Sequence, residues 1–478
     1  MNTPNTNRDR ILVLFAAGLL LTGAFALTIV LDHEPKSMLE RVLDSGVLVV
    51  ATRHTPSTYF DGAQGPDGFE YELSRRFADA LGVRVRYVFP DTAEDILYAT
   101  SHSMAHLAAA GLSITPDREA LVDFSRPYRH VKEQVVYRRG NRRPRGFDDV
   151  NPGDLHVARG SSHEETLTSL RRNGESELRW EALDATNGEA LLAAVDRGEI
   201  RLTMSNSMEL ALYRRIYARA ARAFEIGDPR PIAWAFPKST DRSLQQAADR
   251  FIQSLEESGE LEHLHARYFG HTGRLNFVDV REFWRQVRDR LPGLQAYFEL
   301  AEQETGIDWR LLAAIGYQES HWQADAVSPT GVRGIMMLTQ KTAEQMDVDN
   351  RSDPKQSILG GAQYLRVIEK KLPERITEPN RLWLTLAAYN VGFGHLEDAR
   401  VLTQRDGGNP DLWVDIKQRL PLLSKKAFYE TLRYGFARGR EPVDYVENIR
   451  NYFDLLVWFT TTEPRETQQR LLANTAPR

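Results

Sequence analysis

The chain has 478 residues, of which 42% are hydrophobic and 27% charged, and its formal net charge is −5. That length exceeds one typical domain and supplies apolar residues for two cores, while the small net charge argues against nucleic acid as a partner. There is no cysteine, which excludes disulfides, thiolate metal sites, a cysteine nucleophile and a lipid-modified cysteine, so any membrane attachment must come from polypeptide.

Arg8 and Arg10 precede an uncharged run, residues 11–31, that is long enough to span a bilayer as a helix. Ala24-Phe25-Ala26 inside the run has the small-x-small form of a signal-peptidase site. Residues 1–35 are therefore expected to be a cleaved export signal or an N-terminal membrane anchor. In either case the flanking arginines stay cytoplasmic and everything beyond Asp32 is exported.

Residues 36–270 alternate between strand and helix patterns. Val47 to Ala51 is a short buried-strand run, Tyr71 to Leu81 has helical spacing, and Val83 to Val88 alternates with period two. Leu155 to Ala158, Glu189 to Val195 and Arg201 to Met204 continue the alternation, which predicts an α/β domain with a mainly parallel sheet. The basic run Arg138 to Arg145 is expected as a solvated crossing between lobes.

Gly68-Phe69-Glu70, Leu112 to Arg118, Asp123 to Tyr128, Gly160-Ser161-Ser162 and the closing Tyr268-Phe269-Gly270 resemble the family-3 extracellular solute-binding proteins. The resemblance implies a two-lobed α/β fold that closes on a small ligand. It makes Arg118 the partner of a ligand carboxylate, for which a guanidinium fork is suited, and places Ser161 and Ser162 at a helix start facing the ligand. Asn206 falls where that family usually has an aspartate for an α-ammonium. Free amino acids are therefore disfavoured, and a stem peptide or muropeptide becomes the expected regulatory ligand.

His271-Thr272-Gly273-Arg274 is turn-prone, so residues 271–290 are expected to be a linker. Beyond it the pattern is helical. Asp308 sits at an N-cap position, and Asp353-Pro354 supplies an N-cap with proline at the first helical position. Leu382 to Asn390 forms another helix, expected to be stopped by Gly392 and Gly394. The tail, residues 459–478, is polar.

Leu312, Ile315, Gly316 and Glu319 recur at i, i+3, i+4 and i+7, so Glu319 continues an apolar helical stripe. Desolvation of such a carboxylate raises its pKa, which a general acid needs near neutral pH. Glu319-Ser320, Ser328, Gly331-x-x-Gly334, Ala388-Tyr389-Asn390, Gly392 and Tyr445-Val446 together resemble the catalytic domain of soluble-type lytic transglycosylases, over residues 291–458. A solute-binding domain followed by such a domain, behind an export segment, is a diagnostic order.

This second resemblance implies a mainly α, lysozyme-like fold that cleaves the MurNAc–GlcNAc β-1,4 bond of peptidoglycan glycan strands. It makes Glu319 catalytic and Ser328, Tyr389, Asn390 and Tyr445 substrate-binding, with no cofactor and no metal. One carboxylate suffices because the MurNAc acetamido oxygen can act as nucleophile, leaving a 1,6-anhydro end. Where many members have Gly-Leu-Met-Gln, this chain has Gly334-Ile335-Met336-Met337, which removes an amide from the groove. A goose-type muramidase that delivers water to C1, and a non-catalytic cell-wall sensor, are the rival readings. The resemblance also implies the periplasm of a Gram-negative bacterium, with the protein peripheral on the outer membrane or anchored in the inner membrane by residues 11–31.

Overall fold

The computed structural model describes residues 36–62, 65–174, 178–184, 187–272 and 277–461. No described helix is long and apolar enough to cross a membrane. The segment 11–31, expected as signal or anchor, lies outside the described residues.

The first domain is built on one nine-stranded sheet. In chain order its strands, with one side hairpin, are β1 (Val47–Ala51), the hairpin β2 (Phe60–Gly62) and β3 (Gly65–Asp67), β4 (Arg84–Val88), β5 (Leu107–Ser113) and β6 (Val122–Phe124). They continue with β7 (Arg129–Arg138), β8 (Leu155–Ala158), β9 (Glu181–Leu183), β10 (Leu202–Asn206) and β11 (Ala220–Pro237). The sheet order is β4-β1-β5-β11-β7-β10-β8-β9, with β6 on β11. Parallel pairing of β1 with β4 and β5, and of β8 with β9 and β10, agrees with the alternating pattern read from sequence.

Two cores divide this sheet into lobes. Leu48, Phe69, Phe77 and Trp234 fill the first, and Leu155, Val157, Leu167 and Met204 the second. Helix α1 (Phe69–Leu81) covers lobe one, and α2 (Ser162–Arg172) and α3 (Ser207–Tyr213) cover lobe two. The crossing between lobes is made by β7 and the long β11, which pair from Arg129↔Ile232 through Arg138↔Ala220. This corrects the expectation for Arg138 to Arg145. That run follows the far end of β7, where Arg138 binds the Asp196 carbonyl at 2.9 Å and Arg143 the Ala223 carbonyl at 2.7 Å. A charge run reports solvation, and it cannot say which strands are long enough to bridge two cores.

Helix α4 (Glu260–Phe269) returns to lobe one, where Leu261 and Leu264 join its core. The stretch expected as a linker then holds a helix, α5 (Phe277–Asp289), whose Val280, Phe283, Trp284 and Val287 are buried with the second domain. That domain continues with α6 (Gln295–Thr305), α7 (Trp309–Ser320), α8 (Pro354–Glu369), α9 (Asn380–Val391), α10 (Phe393–Arg405) and α11 (Arg440–Thr461). Asp308 caps α7 by accepting from the Arg310 N–H at 2.8 Å, and Asp353 caps α8 from Gln356 at 2.8 Å. Gly392 ends α9 at φ +91°, but Gly394 lies inside α10, where a Cβ would meet the Tyr434 ring at 2.7 Å. The second glycine is thus a packing residue, not a helix stop. Helix α11 extends to Thr461, into the stretch expected as tail.

One apolar cluster is continuous from lobe two into the second domain. Leu192, Tyr213, Ile216 and Tyr217 pack in the same buried set as Phe283, Phe298, Leu312 and Val446. Burying apolar surface at roughly 25 cal/mol per Å² makes such a shared core the main attachment between domains.

Candidate active site

Glu319 lies in the last turn of α7. Leu312, Ile315 and Tyr317 are buried, and at Gly316 a Cβ would meet Ile335 at 3.1 Å and Phe298 at 3.2 Å, so the helix packs closely on this face. The next residue, Ser320, donates to the Gly316 carbonyl at 3.1 Å and the Ile335 carbonyl at 2.9 Å, tying the helix end to the 326–338 loop. Glu319 is held between these anchors.

Among the described residues its carboxyl accepts one hydrogen bond, from the Tyr445 hydroxyl at 2.6 Å. Burial pushes the Glu319 pKa up to about 7, and the Tyr445 bond offsets part of that rise. No other charged group among the described residues contributes to the shift. Tyr445 is itself 4% exposed, and burial, then the neighbouring Glu319 charge, raises its pKa well above the ordinary tyrosine value, so it stays a donor.

The other motif residues are placed differently. Tyr389 is partly buried on α9 and donates to the Met336 carbonyl at 2.8 Å, so it supports the loop and does not bond the carboxylate. Asn390 is exposed at the end of α9. The Ser328 hydroxyl pairs with Thr330 Oγ1 at 2.9 Å and accepts from the Thr330 and Val332 N–H groups at 3.2 and 3.3 Å, closing its own turn.

Gly334, at φ +85°, lies so close to the Arg351 carbonyl that a Cβ would sit 1.8 Å from it, whereas Gly331, at φ +81°, faces open space. Met337 takes the left-handed region at φ +47° and is half-buried, and its neighbour Met336 is fully buried against Gly361.

In the first domain, lobe one brings Arg118 and Arg53 against Glu165 and Glu209 of lobe two. Arg118 is 3% exposed and donates through Nε to Glu165 at 3.0 Å and through Nη1 to the Ser113 carbonyl at 3.4 Å. Thr115 donates to the second oxygen of Glu165 at 2.5 Å, and Arg53 meets Glu209 at 2.9 Å. Ser161 caps α2, accepting from the Glu164 N–H at 3.3 Å, and Ser162 opens that helix. Asn206 caps α3, its side-chain oxygen accepting from Met208 and Glu209 at 3.1 and 2.9 Å.

The guanidinium assigned to a ligand carboxylate thus already holds a protein carboxylate. Sequence reasoning did not find Glu165, Glu209 or Arg53. The signal for the two glutamates is acidity near the first turns of two helices, which is common on solvated helix starts.

Two domain models match the chain. Residues 48–271 match bacterial extracellular solute-binding proteins, family 3, and residues 296–411 match the transglycosylase SLT domain. Over 437 residues the chain is 47% identical to membrane-bound lytic murein transglycosylase F 1 of Alkalilimnicola ehrlichii, covering 91% of this chain and 88% of that one. The chain belongs to the membrane-bound lytic murein transglycosylase F family. A second member of that family, from Stutzerimonas stutzeri, is 46% identical over 457 residues, covering 95% of this chain and 93% of its own. Among solved structures, the cysteine-binding protein of Campylobacter jejuni covers 51% of this chain and 98% of its own at 17% identity and a TM-score of 0.45. Membership of the transglycosylase F family accounts for both the order of the domains and the α/β and helical folds that carry them.

Proposed function

We propose that this chain is a lytic transglycosylase that cleaves the MurNAc–GlcNAc β-1,4 bond of peptidoglycan, with Glu319 as its one catalytic carboxyl. The observation that carries this reading is the state of Glu319. It is desolvated until its pKa is about 7, and among the described residues its one polar partner is Tyr445 at 2.6 Å. A carboxyl poised there can be protonated when substrate binds and ionised after it has donated.

In the first step Glu319 protonates the leaving glycosidic oxygen while the MurNAc 2-acetamido oxygen attacks C1, so the C1–O4 bond breaks as a C1–O bond forms. Glu319, now ionised, takes the proton of the MurNAc C6 hydroxyl. The C6 oxygen attacks C1, the acetamido oxygen leaves, and a 1,6-anhydro ring closes with no water consumed. A hydrolase using two carboxylates would place the second within a defined distance of the first, and no second carboxylate perturbs Glu319 among the described residues. Tyr445 stabilises the ionised form between the two steps. Tyr389 holds the Met336 carbonyl and so shapes the groove wall, while Ser328 and Asn390 line it for the glycan.

The division we favour is a solute-binding unit over residues 36–270 and a catalytic unit over 291–458, with α5 added to the catalytic core and residues 1–35 as export signal or anchor. Its place is the periplasmic face of a membrane. The interlobe cleft, with Arg118, Ser161, Ser162 and Asn206, would take a stem peptide or muropeptide. Its carboxylate would displace Glu165 from Arg118, so that ligand binding regulates cleavage.

The deciding experiment is mass spectrometry of products from purified peptidoglycan. Release of 1,6-anhydromuropeptides that disappears in Glu319→Gln supports the reading. Reducing-end products would favour a goose-type muramidase, and undiminished release by the variant would sink both.

A further inference from the structure

Between the two domains lies a cavity of about 600 Å³, away from Glu319 and lined by both. Lobe one contributes Arg267 and Tyr268, and the helical domain contributes Ile307, Leu311, Leu382, Trp383 and Arg450. Its size is that of a small-ligand site.

Arg450 is the unusual member. It is 4% exposed, its guanidinium lies over the Trp383 ring at 4.7 Å, and among the described residues its one hydrogen bond runs from Nη2 to the Arg267 carbonyl. None of the ion pairs among the described residues includes it. The acidic groups nearest on its own helix are engaged elsewhere. Asp454 is held by Arg215 at 2.9 Å and His271 at 2.7 Å, and Glu447 pairs with Lys417 at 3.6 Å. Of the other carboxylates on the cavity wall, Glu369 is held by Arg366 at 2.5 Å and Asp308 by Arg310 at 2.6 Å, whereas Glu378 accepts from the Leu382 N–H at 3.2 Å.

Burial lowers the Arg450 pKa to about 10, which leaves the group a cation at neutral pH. Asp454 and Glu447 offset part of that lowering through space, but neither bonds the guanidinium directly, and a carboxylate with two oxygens is the group that a guanidinium fork best accepts. Leu311, Leu382 and Trp383 give the wall an apolar and aromatic side, while Arg215, His271 and Asp454 line another part of it.

We infer that this cavity is a second ligand site, distinct from the interlobe cleft, that takes the C-terminal carboxylate of a short apolar peptide on Arg450, with its side chains against Leu382, Leu311 and Trp383. Such a ligand touches lobe one and the catalytic domain at once, so it would clamp Arg267 and Tyr268 to α11. The inference stands apart from the catalytic reading, since neither Glu319 nor Tyr445 lines the cavity.

The test uses the full chain in detergent and two probes, N-acetyl-D-alanyl-D-alanine and N-acetyl-leucine, each beside its C-terminal amide. Calorimetry and thermal denaturation should show saturable binding of at least one carboxylate and none of its amide. Arg450→Gln should weaken that binding by at least about tenfold. Leu382→Trp, which fills the cavity from its wall and leaves the guanidinium in place, should do the same if Arg450→Gln fails to fold. Arg118→Ala should leave it unchanged. Absence of binding by both carboxylates, equal binding of the amides, binding that survives Leu382→Trp, or binding lost in Arg118→Ala would each overturn the inference. Release of 1,6-anhydro products by the same preparations is measured separately and tests the catalytic reading alone.

Discussion

Replacing Tyr445 by Phe removes the one hydrogen bond from the described residues that reaches the Glu319 carboxyl and keeps an aromatic ring in the same buried seat. A 2.6 Å bond from a phenol to a carboxylate is charge-assisted. Such a bond favours the ionised form by about 1.5–3 kcal/mol. At about 1.4 kcal/mol per pH unit, the ionisation of Glu319 should move upward by about 1–2 pH units. The sign follows from the chemistry: Glu319 must meet substrate protonated, so kcat/KM falls as pH rises through its ionisation. In the parent that descending limb should lie near pH 7, and in Tyr445→Phe it should lie higher by the same interval. The carboxylate formed after proton donation loses its donor as well, so kcat at the optimum should drop by about 10–100-fold. The assay is the initial rate of 1,6-anhydromuropeptide release across a pH series, with circular dichroism as a check on folding. A limb that stays in place, or moves to lower pH, would refute the role of Tyr445 and with it the proposed tuning of Glu319.

Glu319→Gln carries a stability signature independent of activity. The carboxyl's folded pKa of about 7 lies above its usual 4.5, so the parent loses stability as pH rises from the second value through the first. The variant should therefore gain over the parent by up to about 3 kcal/mol above neutrality and by little in acid, read from denaturant midpoints at two pH values. Gly334→Ala should collapse the 326–338 loop and abolish activity, because its Cβ would meet the Arg351 carbonyl at 1.8 Å. Gly331→Ala, with the same backbone sign but open space, should cost about 1–2 kcal/mol and fold normally. Glu165→Gln should free the Arg118 guanidinium and raise the affinity of the first domain for a carboxylate-bearing muropeptide by about tenfold in calorimetry, and an unchanged or weaker affinity would remove Glu165 as the competitor.

Local patterns were legible wherever chemistry and geometry share one segment. The stripe Leu312, Ile315, Gly316, Glu319 needs only the helical period, and the caps Asp308 and Asp353 need only the next three residues. The sequence also made the buried strands β1 and β8 visible as short apolar runs. What escaped depends on segments that meet only after folding. Arg118 and Glu165 are 47 residues apart and pair across two lobes, so no window contains both. Tyr389 and Tyr445 look equivalent in sequence, as two tyrosines of the transglycosylase pattern. Only packing decides that the first turns to the Met336 carbonyl and the second, 126 residues from Glu319, reaches the carboxyl. Gly394 resembled a helix stop because a glycine's packing role depends on what rests on it, here the ring of Tyr434.

Helix α11 explains how a ligand in the first domain could be felt at Glu319. Tyr445 lies near its start and touches the catalytic carboxyl. One to three turns later the same helix presents Arg450, Asn451 and Asp454 to the end of the first domain. Asn451 donates to the His271 carbonyl at 2.8 Å, and Asp454 meets Arg215 and His271. Hairpin strand β2 of lobe one also packs on this helix. Lobe two shares a continuous apolar core with the catalytic domain and adds the Arg215 contact, whereas lobe one meets it through the Arg267 and His271 contacts and the hairpin. Polar contacts can be exchanged at lower cost than a packed core can be opened. A change in the angle between lobes should therefore leave lobe two fixed on the catalytic domain and be taken up where lobe one meets α11. A small rotation of that helix would alter the 2.6 Å contact that opposes the burial-driven rise in the Glu319 pKa. Lobe closure and catalysis would then be coupled through one rigid element, with a coupling on the order of 1–3 kcal/mol.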